Sequence, residues 1–375
     1  MLLHFHLDTV DDIAGFPLVN VKQGNYFWLL TSASIISDQP EFRKYIAQLS
    51  NPYFNKVGIF PNAVYQFLIL LHCDRSADLY VNDFPVEIEL MAKYDFRKSS
   101  VITLKDIADI RRLKFANIEI VDTDRVIYCF KVGWKFGLFF NLDYDGIQAV
   151  DDLALTLGKL YRRLSFQDVY EVMENGTHFE QMKKDGWFPF IELIGGDYEA
   201  LSEAYQDRSD LENRIERTIR SFDEARVHRI TSRWWRQQVF QDKKEILQAG
   251  INAFLRNDNE GNINCIKNLL SEVDGIITVQ HFKDTGESKG IHKHELLQHL
   301  IEKGKVKSGS DDSLLLALPF LMYLNDVVFS CFDLKTGQIG LSRHSSSHGV
   351  ADADVYTRAR ALQALLVLDQ ICFYL

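Results

Sequence analysis

Residues 150–164 read VDDLALTLGKLYRRL, and their leucines mark the point where the character of the chain changes. Leu153, Leu157, Leu160 and Leu164 recur every three or four residues, which is the spacing of one apolar face of an α-helix. Before this segment, short runs alternate apolar and polar residues or are rich in β-branched residues, as strands are. After it, nearly every segment has helical spacing. The pattern predicts an α+β protein whose C-terminal half is helical.

The length of 375 residues is typical of two domains. The change in pattern predicts a mixed strand and helix domain at residues 1–145, a helical connector at 146–190, and a mainly helical domain at 191–375. Within the first domain we expect strands at 86–91 and 134–142, a hairpin over 118–130 and a short helix at 103–113. Within the helical part we expect one long helix at 211–241 and a surface loop at 303–312.

The composition is that of a globular protein: 46% of the residues are hydrophobic and 25% are charged. The formal net charge of -10 disfavours general nucleic-acid binding, so any RNA contact must be local. The five cysteines have no metal-ligand spacing, which is typical of reduced thiols in a cytoplasmic protein. The longest apolar run, residues 314–324, is too short to span a bilayer, and we expect no membrane partner.

The segment from Gly340 to Gly349 carries the residues best suited to chemistry, Arg343, His344 and His348. On a helix the two histidines lie one turn apart and share a face. Imidazole titrates near neutrality and can move a proton to or from a ribose hydroxyl, while guanidinium stabilises charge on phosphoryl oxygens. The segment favours phosphodiester cleavage without metal or cofactor. A solvated helix cap of the same composition is the alternative.

An arginine, a polar residue, three further residues and a histidine form the motif of HEPN domains, and Arg343, His344 and His348 match it. The surroundings resemble a bacterial group of that superfamily, in which an Arg-x4-His-Gly segment precedes a terminal leucine-rich helix, here residues 361–375. That group also has an upstream helix with an acid-Gly-apolar signature, similar to Asp274-Gly275-Ile276 here, although its acid is usually glutamate. The resemblance covers roughly residues 188–375.

The resemblance implies a bundle of four or five helices and metal-independent endoribonuclease activity. HEPN proteins are frequently homodimers and often act in toxin–antitoxin or phage-defence systems, which makes RNA, a second copy, and an antitoxin or regulatory protein the expected partners. We expect His348 to transfer the proton, Arg343 to stabilise the transition state and His344 to assist. Other members of the superfamily have lost catalysis, so a non-catalytic RNA-binding or protein-interaction module is the alternative.

Two further sets of residues complete the predicted site. Glu272 and Asp274 lie on a helix too apolar to expose both, so one acid is expected to orient a histidine or the motif arginine; an ion pair that only stabilises the bundle is equally consistent. A second set lies at helical spacing beside two tryptophans and could track RNA phosphates: Arg226, Arg229, Arg233 and Arg236. A solvated face paired with neighbouring acids is the more common meaning of such a stripe.

Metal ligation is not predicted. His294 and His299 are five residues apart and point in different directions on a helix, while His344 and His348 have the right spacing but no glutamate between them. We therefore expect a site without a metal.

Overall fold

A computed structural model describes residues 2–6, 13–60, 63–143, 149–208, 210–287, 290–331, 342–347 and 349–375. The chain divides into two compact units. The first comprises Met1–Met91 with Ile110–Gln167, and the second comprises Ala92–Asp109 with Asp168–Leu375. The short segment Ala92–Asp109 thus belongs with the helical unit, although the change in sequence pattern lies near residue 145. The sequence-based domain limits remain predictions.

The first unit is built on strands β1 to β10, which in chain order are Leu2–His6, Phe16–Pro17, Leu29–Leu30, Ser32–Ile36, Phe67–Leu71, Ser76–Val81, Val86–Ala92, Ile107–Phe115, Arg125–Val132 and Lys135–Asn141. Six of them form an antiparallel sheet in the order β1-β6-β5-β9-β10-β4. The remaining four form two two-stranded ribbons, β2-β3 and β7-β8. The strands predicted at 86–91 and 134–142 are confirmed.

Two helices cover the two faces of the six-stranded sheet, namely α1 (Phe42–Val57) and α2 (Val150–Ser165). Leu49 and Phe54 of α1 pack with Ile69 of β5 on one face. Leu157 and Leu160 of α2 pack with residues of β9 on the other face. Every residue of β5 is buried, as expected for a strand covered on both sides. The helix predicted from the leucine spacing at 150–164 is confirmed.

The predicted helix at 103–113 is wrong. Only Leu104–Asp106 forms a single 3-10 turn, and the chain then enters strand β8. The side chain of Asp106 accepts hydrogen bonds from the backbone N–H and the hydroxyl of Thr103, and these bonds limit the helical segment to one turn. Pairing with β7 fixes the following residues as a strand, and this long-range contact overrides the local pattern.

The predicted hairpin over 118–130 is also wrong. Residues 118–121 form no strand, and the second half, β9, pairs with β5 and β10 instead. Because both edges of β9 are occupied by these neighbours, no edge is left for residues 118–121. The polar residues between the two runs do form a turn, in which the Val121 N–H donates to the Asp124 carboxylate at 3.0 Å.

Helices α3 to α14 build the second unit: Gln167–Glu174, Gly176–Lys184, Asp197–Asp207, Leu211–Arg220, Glu224–Trp234, Gln238–Gln241, Lys244–Leu255, Asn259–Thr285, Lys293–Ser308, Ala317–Tyr323, Arg343–Ser347 and Arg358–Tyr374. A π-helical turn, Leu324–Val328, follows α12, and a 3-10 turn at Ala353–Val355 precedes α14. In the described part of the chain, all strands precede residue 145, which confirms the predicted α+β class with a helical C-terminal half.

Two boundaries in the helical unit differ from the sequence pattern. Residues 211–241 form three helices rather than one, because Asp223 caps the start of α7 by accepting a hydrogen bond from the Arg226 N–H. The loop predicted at 303–312 begins late, since α11 continues to Ser308 and ends where Gly309 adopts a left-handed conformation. Glycine and serine content alone does not end a helix.

The terminal helix α14 is the centre of the second unit. Residues 361–374 are all buried, so the helix is covered on every side. Some of its polar side chains bond to backbone groups of other elements. The Gln370 amide, for example, accepts from the Ile191 N–H at 2.9 Å and donates to the Leu315 carbonyl at 3.2 Å.

Candidate functional site

The motif segment forms the short helix α13, which packs on the long helix α10. Ser342 precedes α13, and its hydroxyl donates to the Ser330 carbonyl at 2.9 Å. The Ser342 N–H donates to the Ser345 hydroxyl at 2.9 Å, and the Ser345 N–H donates back to the Ser342 hydroxyl at 3.2 Å. These reciprocal bonds fix the start of α13, so the serines of the motif hold the backbone in place.

Arg343 is the motif residue that joins α13 to α10. Its Nη2 lies 3.1 Å from Asp274 Oδ2, and the two side chains are 27% and 37% exposed. Its Nε is buried and has no hydrogen-bond partner among the described residues. The guanidinium is therefore held by one carboxylate, while part of its surface remains exposed.

Of the two candidate acids for orienting the motif, Asp274 contacts Arg343 and Glu272 does not. Glu272 forms an ion pair with Lys243, at the start of α9. Two residues on a helix point roughly 200° apart, so these acids face different neighbours. One acid thus contacts the motif arginine and the other links two helices of the bundle. That Asp274 orients Arg343 for chemistry stays a prediction.

His344 lies partly buried beside Phe329, with the ring centroids 6.4 Å apart. On the same aromatic ring, the Lys293 ammonium lies 5.4 Å from the centroid. Phe329 follows directly on the π-helical turn Leu324–Val328, a type of distortion that is frequent at functional sites. His348, the predicted proton-transfer residue, lies outside the described residues.

This arrangement supplies the elements of an anion site. Arg343 provides a fixed positive charge paired with Asp274, and His344 and Lys293 add an imidazole and an ammonium near the ring of Phe329. A partly exposed guanidinium beside an imidazole is suited to binding a phosphate group and to charge stabilisation on its oxygens.

Of the four arginines predicted to form a stripe, Arg226, Arg229 and Arg233 lie on α7, and Arg236 follows its end. They divide into partly buried and exposed members. Arg226 donates to Asp197 at 2.7 Å and to the Glu192 carbonyl at 2.6 Å, and Arg233 is engaged by two buried acids. Arg236 forms an exposed pair with Asp95, and Arg229 lies over the ring of Tyr94. Two of the four arginines are thus committed to internal contacts, and the exposed Arg229 and Arg236 are the ones that face solvent.

A buried cluster of charges, not anticipated from the sequence, surrounds Arg233. Its Nη2 lies 2.6 Å from Glu192 Oε1, and its Nε lies 2.9 Å from Asp369 Oδ1. Asp369 also accepts from the Trp234 indole at 2.9 Å, and Glu192 accepts from the Tyr94 hydroxyl. Both carboxylates are almost fully buried. We call these five residues the Arg233 cluster.

The Arg233 cluster shifts the ionisation of its members. Burial opposes ionisation of Glu192, but Arg233, Lys93 and two hydrogen bonds together hold the pKa of that carboxyl below its usual value. Burial raises the pKa of Asp369, with Arg233 acting in the opposite direction. Burial lowers the pKa of the neighbouring Lys93 to about 8, and its ammonium donates to the Ile194 carbonyl at 2.7 Å.

Two acids within apolar segments of the sequence indicate that such a cluster exists. Asp369 is an acid within an apolar helix, and Glu192 lies within an apolar run at 187–194. Acids in such surroundings must be paired, because an isolated buried charge is too costly. The partner cannot be identified from spacing, since Arg233 is distant in sequence from both.

The described residues contain no group of three His, Cys, Asp or Glu side chains arranged to hold a metal ion. His299, from the histidine-rich segment, instead pairs with Asp284 at 2.8 Å and packs against the ring of His281. In the same part of the chain, no helix combines the length and apolarity that crossing a membrane requires.

Comparison with known proteins found no matching family model, no matching curated protein and no matching solved structure.

Proposed function

We propose that the helical unit is a metal-independent endoribonuclease of the HEPN type. The observation that supports this most directly is the pair of Arg343 and Asp274, in which one carboxylate holds a guanidinium that remains partly exposed. An arginine held in this way is suited to a phosphate ligand, and the adjacent His344 adds an imidazole.

The reaction follows from the chemistry of these groups. The ribose 2′-oxygen attacks the adjacent phosphorus while its proton passes to an imidazole, and the bond from phosphorus to the 5′-oxygen breaks as that oxygen takes up a proton. His348 transfers the proton, Arg343 stabilises the phosphorane-like transition state, and His344 assists. The products are a 2′,3′-cyclic phosphate and a 5′-hydroxyl, and no metal takes part. Asp274 acts as a positioning residue for Arg343.

The assembly we propose is a homodimer in which two motif copies line one cleft around the RNA. His344 and His348 share one helix face in the predicted motif, so a single copy does not place groups on both sides of the scissile phosphate. A second copy related by a two-fold axis does, and two-fold dimers are the most frequent oligomers. We further propose a cytoplasmic role in toxin–antitoxin or phage-defence systems, with an antitoxin or regulatory protein as partner.

Cleavage of a labelled RNA by the purified chain, in the presence of a chelator, tests the activity. We expect products with 2′,3′-cyclic phosphate ends, and loss of cleavage in Arg343→Ala and His348→Ala. RNA binding without cleavage by the wild-type chain would instead favour the non-catalytic alternative. Activity that disappears with the chelator and returns with zinc would contradict the metal-independent mechanism.

Mixing the two inactive variants tests the shared site. If each of the two sites in the cleft needs an arginine from one copy and a histidine from the other, heterodimers of Arg343→Ala and His348→Ala regain one intact site of two. A monomeric protein that cleaves RNA at the full rate would contradict this assembly.

A further inference from the structure

Strands β2 and β3 of the first unit form a hairpin whose base is anchored in the core. Phe16 and Leu30 pair at the base, and the Phe16 side chain is buried on the face of the sheet that α1 covers. Further out, the Leu18 N–H donates to the Trp28 carbonyl at 3.1 Å. The residues beyond this bond extend the hairpin away from its base.

The outer part of the hairpin exposes a large apolar surface. Tyr26 is fully exposed, Trp28 is 81% exposed and Phe27 is half-exposed, while Leu18 and Val19 of the other strand are also exposed. An aromatic side chain covers about 150–250 Å² when it becomes buried, so the three rings present roughly 500 Å² to solvent. Apolar patches larger than a few hundred Å² are rare on proteins that act alone, which indicates that a partner covers this one.

The hairpin leads directly into β4, an edge strand of the six-stranded sheet that pairs with β10 on its inner side. The Thr31 carbonyl accepts from the Leu142 N–H, and the Ser37 N–H donates to the Phe136 carbonyl, both at 2.9 Å. Backbone groups of alternate residues point to opposite sides of a strand, so those of Ser34 point away from β10. In the described part of the chain no strand pairs with this outer edge, which can therefore accept a strand of another chain.

The charge of this region favours a second copy of the chain as the partner. Residues 13–37 contain one charged residue, Lys22, whereas the whole chain has a formal net charge of -10. Two chains of this charge repel each other, and the repulsion is smallest where their uncharged segments meet. An open strand edge is self-complementary, as a two-fold contact requires, and homodimer interfaces are more apolar than other interfaces.

A lipid surface fits the hairpin less well than a protein does. The tip consists of the exposed polar residues 22–25, and the Asn25 N–H donates to the Lys22 carbonyl at 3.1 Å to close it. Insertion of the hairpin would carry this tip and unpaired backbone groups into apolar lipid, where such groups are costly. A protein partner can pair the backbone groups and leave the tip in water.

We propose that two copies of the chain associate about a two-fold axis through residues 16–36. In this contact the two β4 strands pair antiparallel, and the aromatic side chains of each hairpin pack against the other copy. The rings supply more than half of the about 800 Å² that each partner buries in an interface of standard size. The inference does not rest on the proposed nuclease activity, and the contact uses no residue of the motif segment.

Sedimentation equilibrium of the full chain at micromolar concentration tests the proposal. We expect the wild-type assembly to have twice the mass of that formed by Trp28→Ser or by Ser34→Pro. The first variant removes an exposed ring, and the second removes an outward N–H from an edge strand, where proline is tolerated. Trp134→Ser is the matched control, since Trp134 is an exposed tryptophan in the turn between β9 and β10. It should have the wild-type mass.

Hydrogen exchange at low and high protein concentration locates the contact. Amides of residues 18–36 should exchange more slowly at the high concentration in the wild type, and at equal rates in Trp28→Ser. The halving of mass is expected whether or not the motif dimer also forms, because the variants leave the motif segment intact. Failure of this proposal is therefore distinguishable from failure of the proposed function.

A wild-type chain with the same mass as both variants would overturn the proposal. So would exchange at residues 18–36 that does not depend on protein concentration. Flotation of a monomeric wild type, but not of Trp28→Ser, with phosphatidylcholine vesicles would assign the hairpin to lipid and overturn the proposal as well. If Ser34→Pro does not fold, Trp28→Ser decides alone.

Discussion

Arg233 and Arg343 both hold carboxylates in the helical unit, but they do so in opposite ways. Arg233 is 12% exposed and lies between two acids whose side chains are 1% and 2% exposed. Arg343 holds one acid and remains partly exposed. The first arrangement is closed to any further ligand. The second leaves part of the guanidinium accessible to one, which is why we attribute a structural role to Arg233 and propose a functional role for Arg343.

The largest expected effect on stability comes from a substitution of Arg233, in the closed arrangement. Replacing Arg233 with methionine leaves Asp369 buried without its counter-charge and leaves Glu192 with only the neighbouring Lys93. We expect the free energy of unfolding to fall by about 3–5 kcal/mol, the usual cost of removing one partner of a buried ion pair. Urea denaturation of the two proteins measures this difference.

The matched control for that experiment also removes the charges of the two carboxylates. Adding Glu192→Gln and Asp369→Asn to Arg233→Met takes away both carboxylates, so much of the lost stability should return. A loss below about 1 kcal/mol in the single variant would show that the cluster is not the buried ion network described above.

A smaller effect on stability is expected at Lys93, which lies next to the Arg233 cluster. Burial lowers its pKa to about 8 in the folded chain, whereas the ordinary lysine value is 10.5. Between pH 8 and 10 the unfolded chain therefore binds more protons at this position, and stability rises with pH in that window. Relative to Lys93→Met, the wild type should gain roughly 2 kcal/mol from pH 8 to 10.

Urea denaturation of both proteins at pH 8 and pH 10 gives this difference directly. Taking the difference between the two proteins removes the contribution of other titrating groups. Parallel stability profiles for wild type and Lys93→Met would contradict a lowered pKa at Lys93.

The smallest expected change in stability belongs to the open arrangement. Arg343→Gln removes an ion pair in which both side chains are partly exposed, and such pairs contribute about 0.5 kcal/mol. The urea midpoint of this variant should lie close to that of the wild type. A loss as large as that of Arg233→Met would assign Arg343 to the structural framework instead.

Elements determined by interactions between neighbouring residues were predicted correctly from the sequence. Elements determined by contacts between distant residues were missed. The α2 helix, β7 and β10 were predicted because their patterns repeat over neighbouring residues. The helix at 103–113 and the hairpin over 118–130 were wrong because strand pairing with distant residues decides these segments. Local capping by Asp223 divided the helix expected at 211–241.

The same distinction applies to the candidate site. The motif residues were found because they lie within one short segment, and the contact between Arg343 and Asp274 follows one of the two possibilities drawn from the sequence. The Arg233 cluster was missed because its acids come from elements far apart in the chain. Two of its neighbours, Lys93 and Tyr94, lie in a segment whose place in the helical unit no local pattern indicates.

The most direct test of our account is the single-turnover rate of RNA cleavage by Arg343→Gln. Arg220→Gln is the matched control, because it removes an exposed arginine at the end of α6 that pairs with Glu216. Loss of a preorganised charge-stabilising group typically lowers the rate by about 10²–10³. We predict a loss of that size in Arg343→Gln, an unchanged rate in Arg220→Gln and near-wild-type stability in both. Equal cleavage rates for Arg343→Gln and the wild type would contradict the assignment of function to Arg343.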